Sequence, residues 1–484
     1  MSNLQDLSSK MPPPSIEGTL NGLHTTMQQN RHTIANSTWR ERRDKLQRLH
    51  DAVQQYRGEF QVAMHKDFRK NAVEVDSTEI FPTVSEIRFA LKHLKSWMRS
   101  RSVPTPLALA GTSSWIKPEA KGVCLLIAPW NYPIFLALYP LVSAIAAGNC
   151  VIIKPSEMTP HTSAVLKKML ESIFPPSEIA VVEGDATVAT ALLKLKFDHI
   201  FFTGAPQIGK IVMRAAAENL TSVTLELGGK SPVIVDETAN LDVAASRLIF
   251  AKTINCGQVC IAPDYILVHQ NVKNAFIDAL KKALKTQIGD STTDRKEATL
   301  FARIVNRRHF DRIKNYLDDA ISKGGKIEFG GNLDAAENYI EPTIVTDLPD
   351  NALLLQEEIF GPVLPIKTYS NLDEAIGYIN AGEKPLALYI FSGNKKTIDT
   401  ILNHTSAGGT LINDVLLHIA NPNLPFGGVN HSGIGKGHGK YGFEEFSNLR
   451  GVMKQHFSRS LIELLHMPYN KWSKRLTNLM VKWL

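Results

Sequence analysis

The chain has 484 residues, 44% hydrophobic and 21% charged, with 54 lysines and arginines against 47 acids and a net charge of +7. That length holds about two or three domains, and the balance excludes a disordered chain, a collagen-like fibre and a small disulfide scaffold. So mild a basic excess is ordinary solvated surface and does not require nucleic acid.

In chain order, residues 1–20 read as a loose start without the apolar core of a secretory signal. Residues 39–70 read as a helix, with Leu46, Leu49, Val53, Tyr56 and Phe60 interleaved with charges. A second helix runs near 76–98, and 100–114, with Pro104 and Pro106, reads as an exposed connection. From 123 onward short apolar runs take over, at 123–129, 149–155, 178–184, 199–204 and 223–229. Helical stretches at 133–147, 160–173, 186–195 and 207–219 separate them. Short buried strands alternating with helices predict a parallel sheet covered on both faces. A second set has strands at 231–236, 264–270, 385–393 and 408–414. Its helices fall near 241–255, 271–286, 303–323, 372–381 and 395–403. The expected fold class is α/β, with a second α/β domain over about 226–413. Ligands in such sheets bind beyond the carboxyl ends of the strands. No run of 18 apolar residues occurs, so no spanning helix is expected. The four cysteines, Cys124, Cys150, Cys256 and Cys260, are too few for a disulfide framework and read as free thiols of a reducing, cytoplasmic compartment.

Two glycine motifs mislead. GHGKYG (437–442) matches G-x-G-x-x-G, yet it neither follows a strand nor opens a βαβ unit. GAPQIGKI (204–211) follows a strand and precedes a helix, but Ile211 stands where a P-loop needs a hydroxyl for magnesium. What survives is a turn bounded by Gly204 and Gly209 at a helix N-terminus, which suits a pyrophosphate.

FAKTINCGQVCIAP (250–263) puts Cys256 and Cys260 near the end of a helix, with Gly257 as a break. Spacing alone favours two buried structural thiols over zinc, for which no second ligand pair is evident. A nucleophilic cysteine needs a partly exposed, charge-stabilising position, which the loop placement of Cys260 allows. Glu226, in LELGG (225–229), lies inside an apolar strand and is paired, at the surface, or kept as a general base whose pKa burial raises. Asn131, in APWNYP (128–133), follows a strand, where an amide can donate to an oxyanion. Lys154 and Glu157, in KPSE, close the next strand and can hydrogen-bond ribose hydroxyls. An acid there disfavours a 2′-phosphate and so favours NAD over NADP. Glu357 and Glu358 lie in QEEIFGP (356–362). Taken alone, each of these residues has a plain surface reading.

The combination does not. APWNYP, KPSE, FTG-x4-G, LELGGKSP, GQVCIAP, EEIFGPV and PFGGV (425–429), in that order, resemble the aldehyde dehydrogenase superfamily over about residues 35–455. EKPLALYIFS (383–392) and HIANPNLPFGGVNHSGIGKGHGKYGFEEFS (418–447) look most like its class 3 members. The resemblance implies a Rossmann-like cofactor domain (1–225), an α/β catalytic domain (226–413) and a small β bridging segment (414–455). The bridge would combine a hairpin near 112–120 with strand residues near 446–455 and pair with a partner subunit, making the protein a homodimer. The implied reaction is oxidation of a medium- or long-chain aliphatic or aromatic aldehyde to the acid, with NAD, or alternatively NADP, and no metal. Cys260 would be the nucleophile, Asn131 and the Cys260 N–H the oxyanion hole, and Glu226 the general base. Glu358 would hold the nicotinamide ribose, with Phe360 near the nicotinamide and Trp130 also on the cofactor. Lys154 and Glu157 would hold the adenosine ribose, and Gly204 and Gly209 would frame the pyrophosphate. Asn430 departs from the glycine that class 3 chains often carry there. Three rivals remain: a coenzyme A-acylating relative, opposed by Glu226; a P-loop nucleotide hydrolase, opposed by Ile211; and an inactive scaffold, opposed by the joint presence of Cys260, Glu226 and Asn131.

Residues 456–484 carry Arg459, Lys471, Lys474, Arg475 and Lys482 against Glu463. Beyond Pro468, the side chains of Trp472, Leu476, Leu479, Met480 and Trp483 fall on one helical face. This is the composition of an interfacial helix, too polar to span a bilayer. Peripheral membrane contact and docking over the protein's own substrate entrance are both open readings.

Overall fold

The computed structural model describes residues 16–298, 301–458, 463 and 465–483. The five apolar runs between 123 and 229 form one parallel sheet. Its order is Ser222–Leu227, His199–Gly204, Val123–Ile127, Cys150–Lys154 and Ile179–Val181, with Gly433–Ile434 added antiparallel beside Ser222–Leu227. Cys150–Lys154 is buried throughout, as a strand covered on both faces requires. The chain builds outward from Val123–Ile127 in one direction and returns to add His199–Gly204 on the other side. The crevice between those two strands is thus the switch point where such sheets take ligands. Register sets Ile127 opposite Lys154 and Thr203 opposite Glu226, so the strand ends form one level rim.

The second sheet has seven strands in the order Lys326–Phe329, Thr343–Thr346, Val363–Tyr369, Tyr265–His269, Pro232–Val235, Ala387–Phe391 and Gly409–Ile412. Only the contact of Lys326–Phe329 with Thr343–Thr346 is antiparallel. Three of these strands are absent from the sequence reading. Val363–Tyr369 contains Pro365, which reads as a breaker because proline cannot donate to a ladder, and the other two are four residues long.

A third sheet has Thr112–Ala120 between Arg101–Val103 and Ser447–Gln455, all antiparallel. Two expectations are corrected here. Thr112–Ala120 is one continuous nine-residue strand, not a hairpin; it pairs on one side with Arg101–Val103, from the segment read as a connection, and on the other with Ser447–Gln455, the strand expected near 446–455. The start is also more ordered than expected, since Ile16–Ala35 is a helix. Its buried residues, Leu20, Met27 and Ile34, recur only every seventh position, a stripe too narrow to register as amphipathic.

Trp39–Phe68 behaves as read. Thr38 and Glu41 close a reciprocal capping box at its start, a feature that stabilises a helix by about 1 kcal/mol. The helix expected near 76–98 begins earlier. Ala72–Val75 leads through a π-helical turn, Asp76–Ile80, into Phe81–Trp97. Lys471–Trp483 is a helix with Trp472 and Leu479 exposed and Leu476 and Met480 half-buried. Arg459, the first 15 residues and the side chain of Trp483 lie outside the described residues.

Candidate active site

A cavity of about 820 Å³ opens where the rim of the first sheet faces the loops of the second. Trp130, Asn131, Gly204, Glu226, Cys260, Glu358 and Phe360 all line it. Lys154, Glu157 and Gly209 are not on its wall. Lys154 and Glu157 pair at 2.6 Å at the neighbouring strand end. Gly209 is buried in the helix Pro206–Ala217, where a side chain would strike Leu227. Its role in this structure is close packing of helix on strand. The start of that helix, with Ala205, Pro206 and Gln207, does reach the cavity.

The thiol loop is an unusual piece of backbone. After Leu241–Thr253, Asn255, Cys256 and Gly257 all adopt left-handed conformations, at φ 50°, 55° and 70°. Such conformations cost non-glycine residues about 1–3 kcal/mol each and persist only where the surroundings fix them. Side-chain amides do the fixing. Asn255 Nδ2 donates to the carbonyls of Asn131 (2.8 Å) and Gln258 (3.1 Å). Gln258 Nε2 donates to those of Asn255 and Arg303, and its Oε1 accepts from Val305 N–H. Glu74 accepts the Asn255 N–H at 2.7 Å. Asn131 Nδ2 donates to the Gln258 carbonyl at 3.1 Å. An amide nitrogen has two hydrogens, so this bond sets its plane and leaves one donor for the cavity.

Beneath this loop lies a fully buried pair. Lys70 Nζ is 3.2 Å from Glu79 Oε1, and the ammonium sits 4.1 Å from the centre of the Tyr132 ring. Glu79 Oε2 accepts the N–H groups of Ile134 and Phe135, at the start of the helix Phe135–Ala147. Burial pushes the carboxyls of Glu74 and Glu79 up, and Lys70 opposes that rise.

The opposite wall is held by cations. Lys230, from LELGGKSP, pairs with Asp264 and donates to the carbonyls of Leu354 and Glu357 at 2.9 Å each. Arg312 donates to the carbonyls of Glu358 and Ile359 at 3.0 and 2.8 Å. These bonds clamp the EEIFGP loop, in which Phe360 takes a left-handed φ of 48°. Phe360 meets Trp130 edge-on at 5.4 Å, and Trp130 packs on His309 at 5.1 Å. The result is an aromatic wall suited to a flat ring.

Three titrations define the chemistry. Burial pushes the Cys260 thiol up to about 12, the charges of Glu226 and Glu358 add to the rise, and the N–H groups of Cys260 and Ile261 oppose it. The partly exposed thiol is therefore neutral at rest and needs a proton acceptor. Glu226, 3% exposed, is raised to about 7, chiefly by burial, with His438 the largest opposing influence. Glu358 is raised to about 8 by burial and then by Asp264, against a hydrogen bond from Gly229 N–H. Cys256 is fully buried, with its thiol pushed far above the normal range, and takes no part.

The model of the aldehyde dehydrogenase family matches residues 21–452. The chain belongs to that family. The 4,4′-diaponeurosporen-aldehyde dehydrogenase of Staphylococcus aureus (strain NCTC 8325 / PS 47) is 46% identical over 427 residues, which are 88% of this chain and 91% of that protein. Aldehyde dehydrogenase family 3 member A2 of Mus musculus is 43% identical over 433 residues, 90% and 88% of the two chains. The substrate-bound structure of Staphylococcus aureus AldH matches with a TM-score of 0.91 at 42% identity, over 96% of this chain and 99% of that one. This aldehyde dehydrogenase oxidises an aldehyde to a carboxylic acid with a nicotinamide dinucleotide. The P-loop hydrolase reading is thereby excluded.

Several residues of this aldehyde dehydrogenase site escape the sequence reading: Asn255, Gln258, Lys230, His309 and Arg312. Asn255, Gln258 and Lys230 sit inside motifs already singled out, so proximity to the thiol or to LELGG was an available signal. His309 and Arg312 lie on the helix Arg307–Ser322, and no motif marks them.

Proposed function

We propose that Cys260 attacks the aldehyde carbon, that Asn131 and the Cys260 N–H bind the resulting oxyanion, and that Glu226 is the general base. The observation that carries this reading is the convergence of Asn131, Glu226 and Cys260 on one cavity. The Cys260 thiol, pushed up to about 12, loses its proton to solvent as sulfur attacks carbon, and Glu226, raised to about 7, is kept for the later water step. The oxyanion then meets donors that are already oriented, since Gln258 fixes the Asn131 amide and reorganisation is avoided. A dinucleotide held by these walls would supply the hydride acceptor. After hydride leaves, Cys260 carries a thioester; Glu226 takes a proton from water, and the water oxygen releases the acid. A carboxyl poised near neutrality suits that task and favours hydrolysis over transfer to coenzyme A.

The cavity fits a dinucleotide on the chemistry of its walls. Glu358 lies against the Gly228–Gly229 backbone and accepts the Gly229 N–H, leaving carboxyl oxygen for the hydroxyls of the nicotinamide ribose. Trp130, His309 and Phe360 form the aromatic side. The start of the helix Pro206–Ala217 would take the pyrophosphate, and Lys154 and Glu157 the adenosine ribose. Glu157 places negative charge where NADP carries its 2′-phosphate, so NAD is the preferred cofactor.

Leu136 and Phe426 line the cavity with Cys260, which suits a medium- or long-chain aliphatic or aromatic aldehyde. Ser447–Gln455 ends its sheet with a nine-residue edge and exposes Leu449 and Met453. Such an edge pairs with another chain, and a homodimer is the proposed state. The basic C-terminal helix is proposed to rest on a membrane surface. The test of the whole reading is NADH and NADPH formation across aliphatic and aromatic aldehydes. It requires NAD to exceed NADP and kcat/KM to rise with alkyl length. Flat dependence on length would remove the lipid-derived substrate.

A further inference from the structure

A second cavity, of about 300 Å³, lies against one face of the three-stranded sheet and shares no lining residue with the active-site cavity. Register decides what faces it. Arg101 stands opposite Ile116, and Leu449 stands opposite Pro118, two positions along. Paired residues, and residues two apart, point to the same side of a sheet, so these four share one face. The end of the helix Phe81–Trp97 and the helix Gly439–Glu445 close over it. Trp97 and Phe443 meet there, 5.7 Å between ring centres. The floor is apolar, made by Trp97, Phe443, Ile116, Pro118 and Leu449. Trp97 is half-buried and Leu449 is 44% exposed, so apolar surface is left for a ligand to cover. Edge pairing of Ser447–Gln455 would engage main-chain groups in the plane of the sheet and not this face.

The rim is cationic. Arg99, Arg101 and Lys440 line the cavity against one acid, Glu444, which pairs with Lys440 at 3.4 Å. Glu119, with its partners Lys117 and Arg450, falls on the other face of the sheet. Arg99 and Arg101 are exposed and have no carboxylate partner among the described residues. The approach to the rim has the same sign. Arg88, Lys92 and Lys95 recur at i, i+4 and i+7 on the exposed side of Phe81–Trp97, the helix that runs up to Arg99. That helix has one acid, Glu86, and it is buried, where it accepts the Gly439 N–H at 2.7 Å. A stripe of one sign without counter-charges draws anions along it.

We propose that this cavity binds a single-chain carboxylate, its head on Arg99 and Arg101 and its chain on the apolar floor. A planar guanidinium matches the two oxygens of a carboxylate and gives it charge-assisted hydrogen bonds. An aldehyde offers these groups no charge, so the site distinguishes acid from aldehyde. Ligand cavities run from about 300 to 1,000 Å³. This one lies at the lower end, with room for one chain rather than the two of a membrane lipid. A chain-bearing carboxylate is also the class of product that the enzyme releases. That link alone rests on the alkyl-bearing aldehyde proposed above.

The experiment is isothermal titration calorimetry of the full chain with decanoate below its micellar concentration, beside the double variant Arg99→Gln/Arg101→Gln and the single variant Leu449→Glu. Decanol and acetate separate chain from charge, and anionic liposomes supply a membrane arm. The substitutions leave the active-site cavity intact, so decanoate bound there contributes equally to every titration. Turnover of a short aldehyde should stay within about twofold, as for surface changes in general. Expected is a decanoate site whose affinity falls by roughly tenfold or more in both variants, the loss of a charge-assisted contact. Decanol and acetate should bind it more weakly by about the same factor, and added salt should weaken decanoate. If Leu449→Glu does not fold, the double variant decides, since Arg99 and Arg101 are exposed.

Equal decanoate binding by the unaltered chain and the double variant would place all of it in the active site and overturn the proposal. Equal affinity for decanol would leave the arginines idle, and equal affinity for acetate would mean an adventitious ion only; either result overturns it. Liposome sedimentation that the double variant abolishes, without binding of free decanoate, would assign the rim to a membrane and overturn it too. The dependence of kcat/KM on alkyl length is read separately. A flat dependence fails the substrate reading while decanoate binding lost in the double variant still supports the site, so the two failures are distinct.

Discussion

The two walls of the cavity are built in different ways. The wall proposed to face the dinucleotide uses strand ends and a helix start at the switch point of a parallel sheet, and its cations, Lys230 and Arg312, hold loop carbonyls near the surface. The thiol-facing wall uses left-handed backbone, side-chain amides and a fully buried Lys70–Glu79 pair. The first is a binding surface that tolerates small changes, because its contacts are many and partly solvated. The second is over-determined, because strained backbone must be held at every point. Substitutions should accordingly act most severely on the thiol side.

The largest effect is expected at Cys260. Cys260→Ser keeps the shape of the loop but leaves a hydroxyl that is a far weaker nucleophile. Turnover should fall by about four orders of magnitude or more, while dinucleotide affinity, read by fluorescence quenching, stays within about twofold. A substantial residual rate would move the chemistry away from the thiol wall. Glu226→Gln comes next. It should permit one equivalent of NADH per site and then slow steady turnover by roughly 100–10,000-fold. In the unaltered enzyme the deacylation rate should fall as pH drops through about 7, where Glu226 gains its proton. A pH-independent rate from pH 5 to 9 would contradict the base role.

Lys70→Met tests the buried support itself. It leaves Glu79 and Glu74 without their cation, and an uncompensated buried charge costs about 3–5 kcal/mol. The sign of its pH dependence follows from the raised carboxyl pKa values, since burial favours the neutral acids. Below the ordinary carboxyl range the acids are protonated in both folded and unfolded chains, and the penalty is small. As pH rises through the folded pKa values the acids must charge or stay protonated at a cost, and stability is lost. The fall in Tm should therefore be larger at pH 8 than at pH 5, and an equal fall at both would show that the pair acts by packing alone.

This contrast also explains what the sequence disclosed. Strand-end residues were legible because a parallel sheet delivers them to one rim in a fixed order: Asn131, Lys154, Gly204 and Glu226 follow from element order and register. Cys260 was legible by its motif. The supports were not. Glu74 and Lys70 precede the thiol by more than 180 positions, Glu74 on the four-residue helix Ala72–Val75 and Lys70 in the break before it, where no periodicity marks either. Only tertiary packing brings them together. Gly209 shows the converse: a motif glycine expected at the pyrophosphate is buried against Leu227. The three unread strands failed for a local reason, brevity or a proline inside the run.

On the dinucleotide wall the expected effects are smaller. Glu157→Gln removes one half-exposed charge that pairs with Lys154. A partly solvated charge contributes about 1 kcal/mol or less, so the ratio of kcat/KM for NAD over NADP should fall by about fivefold. A change of a hundredfold would mean that Glu157 is far more enclosed when the cofactor is bound, and that this wall closes as tightly as the other.

The smallest effect on turnover is expected from deletion of 457–484, which belongs to neither wall. No helix among the described residues is long and apolar enough to cross a membrane, so any attachment through this segment lies at the surface. Lys471–Trp483 exposes Trp472 and Leu479 and carries Lys471, Lys474, Arg475 and Lys482. Each basic residue near an anionic leaflet contributes about 1 kcal/mol, fading within a Debye length. The full chain should therefore sediment with anionic liposomes at low salt, less so at high salt, and poorly with neutral ones. The deletion should stay in the supernatant and keep its rate on a short soluble aldehyde. If the deletion instead raises the rate on bulky aldehydes and leaves sedimentation unchanged, the helix covers the substrate entrance and the membrane reading fails.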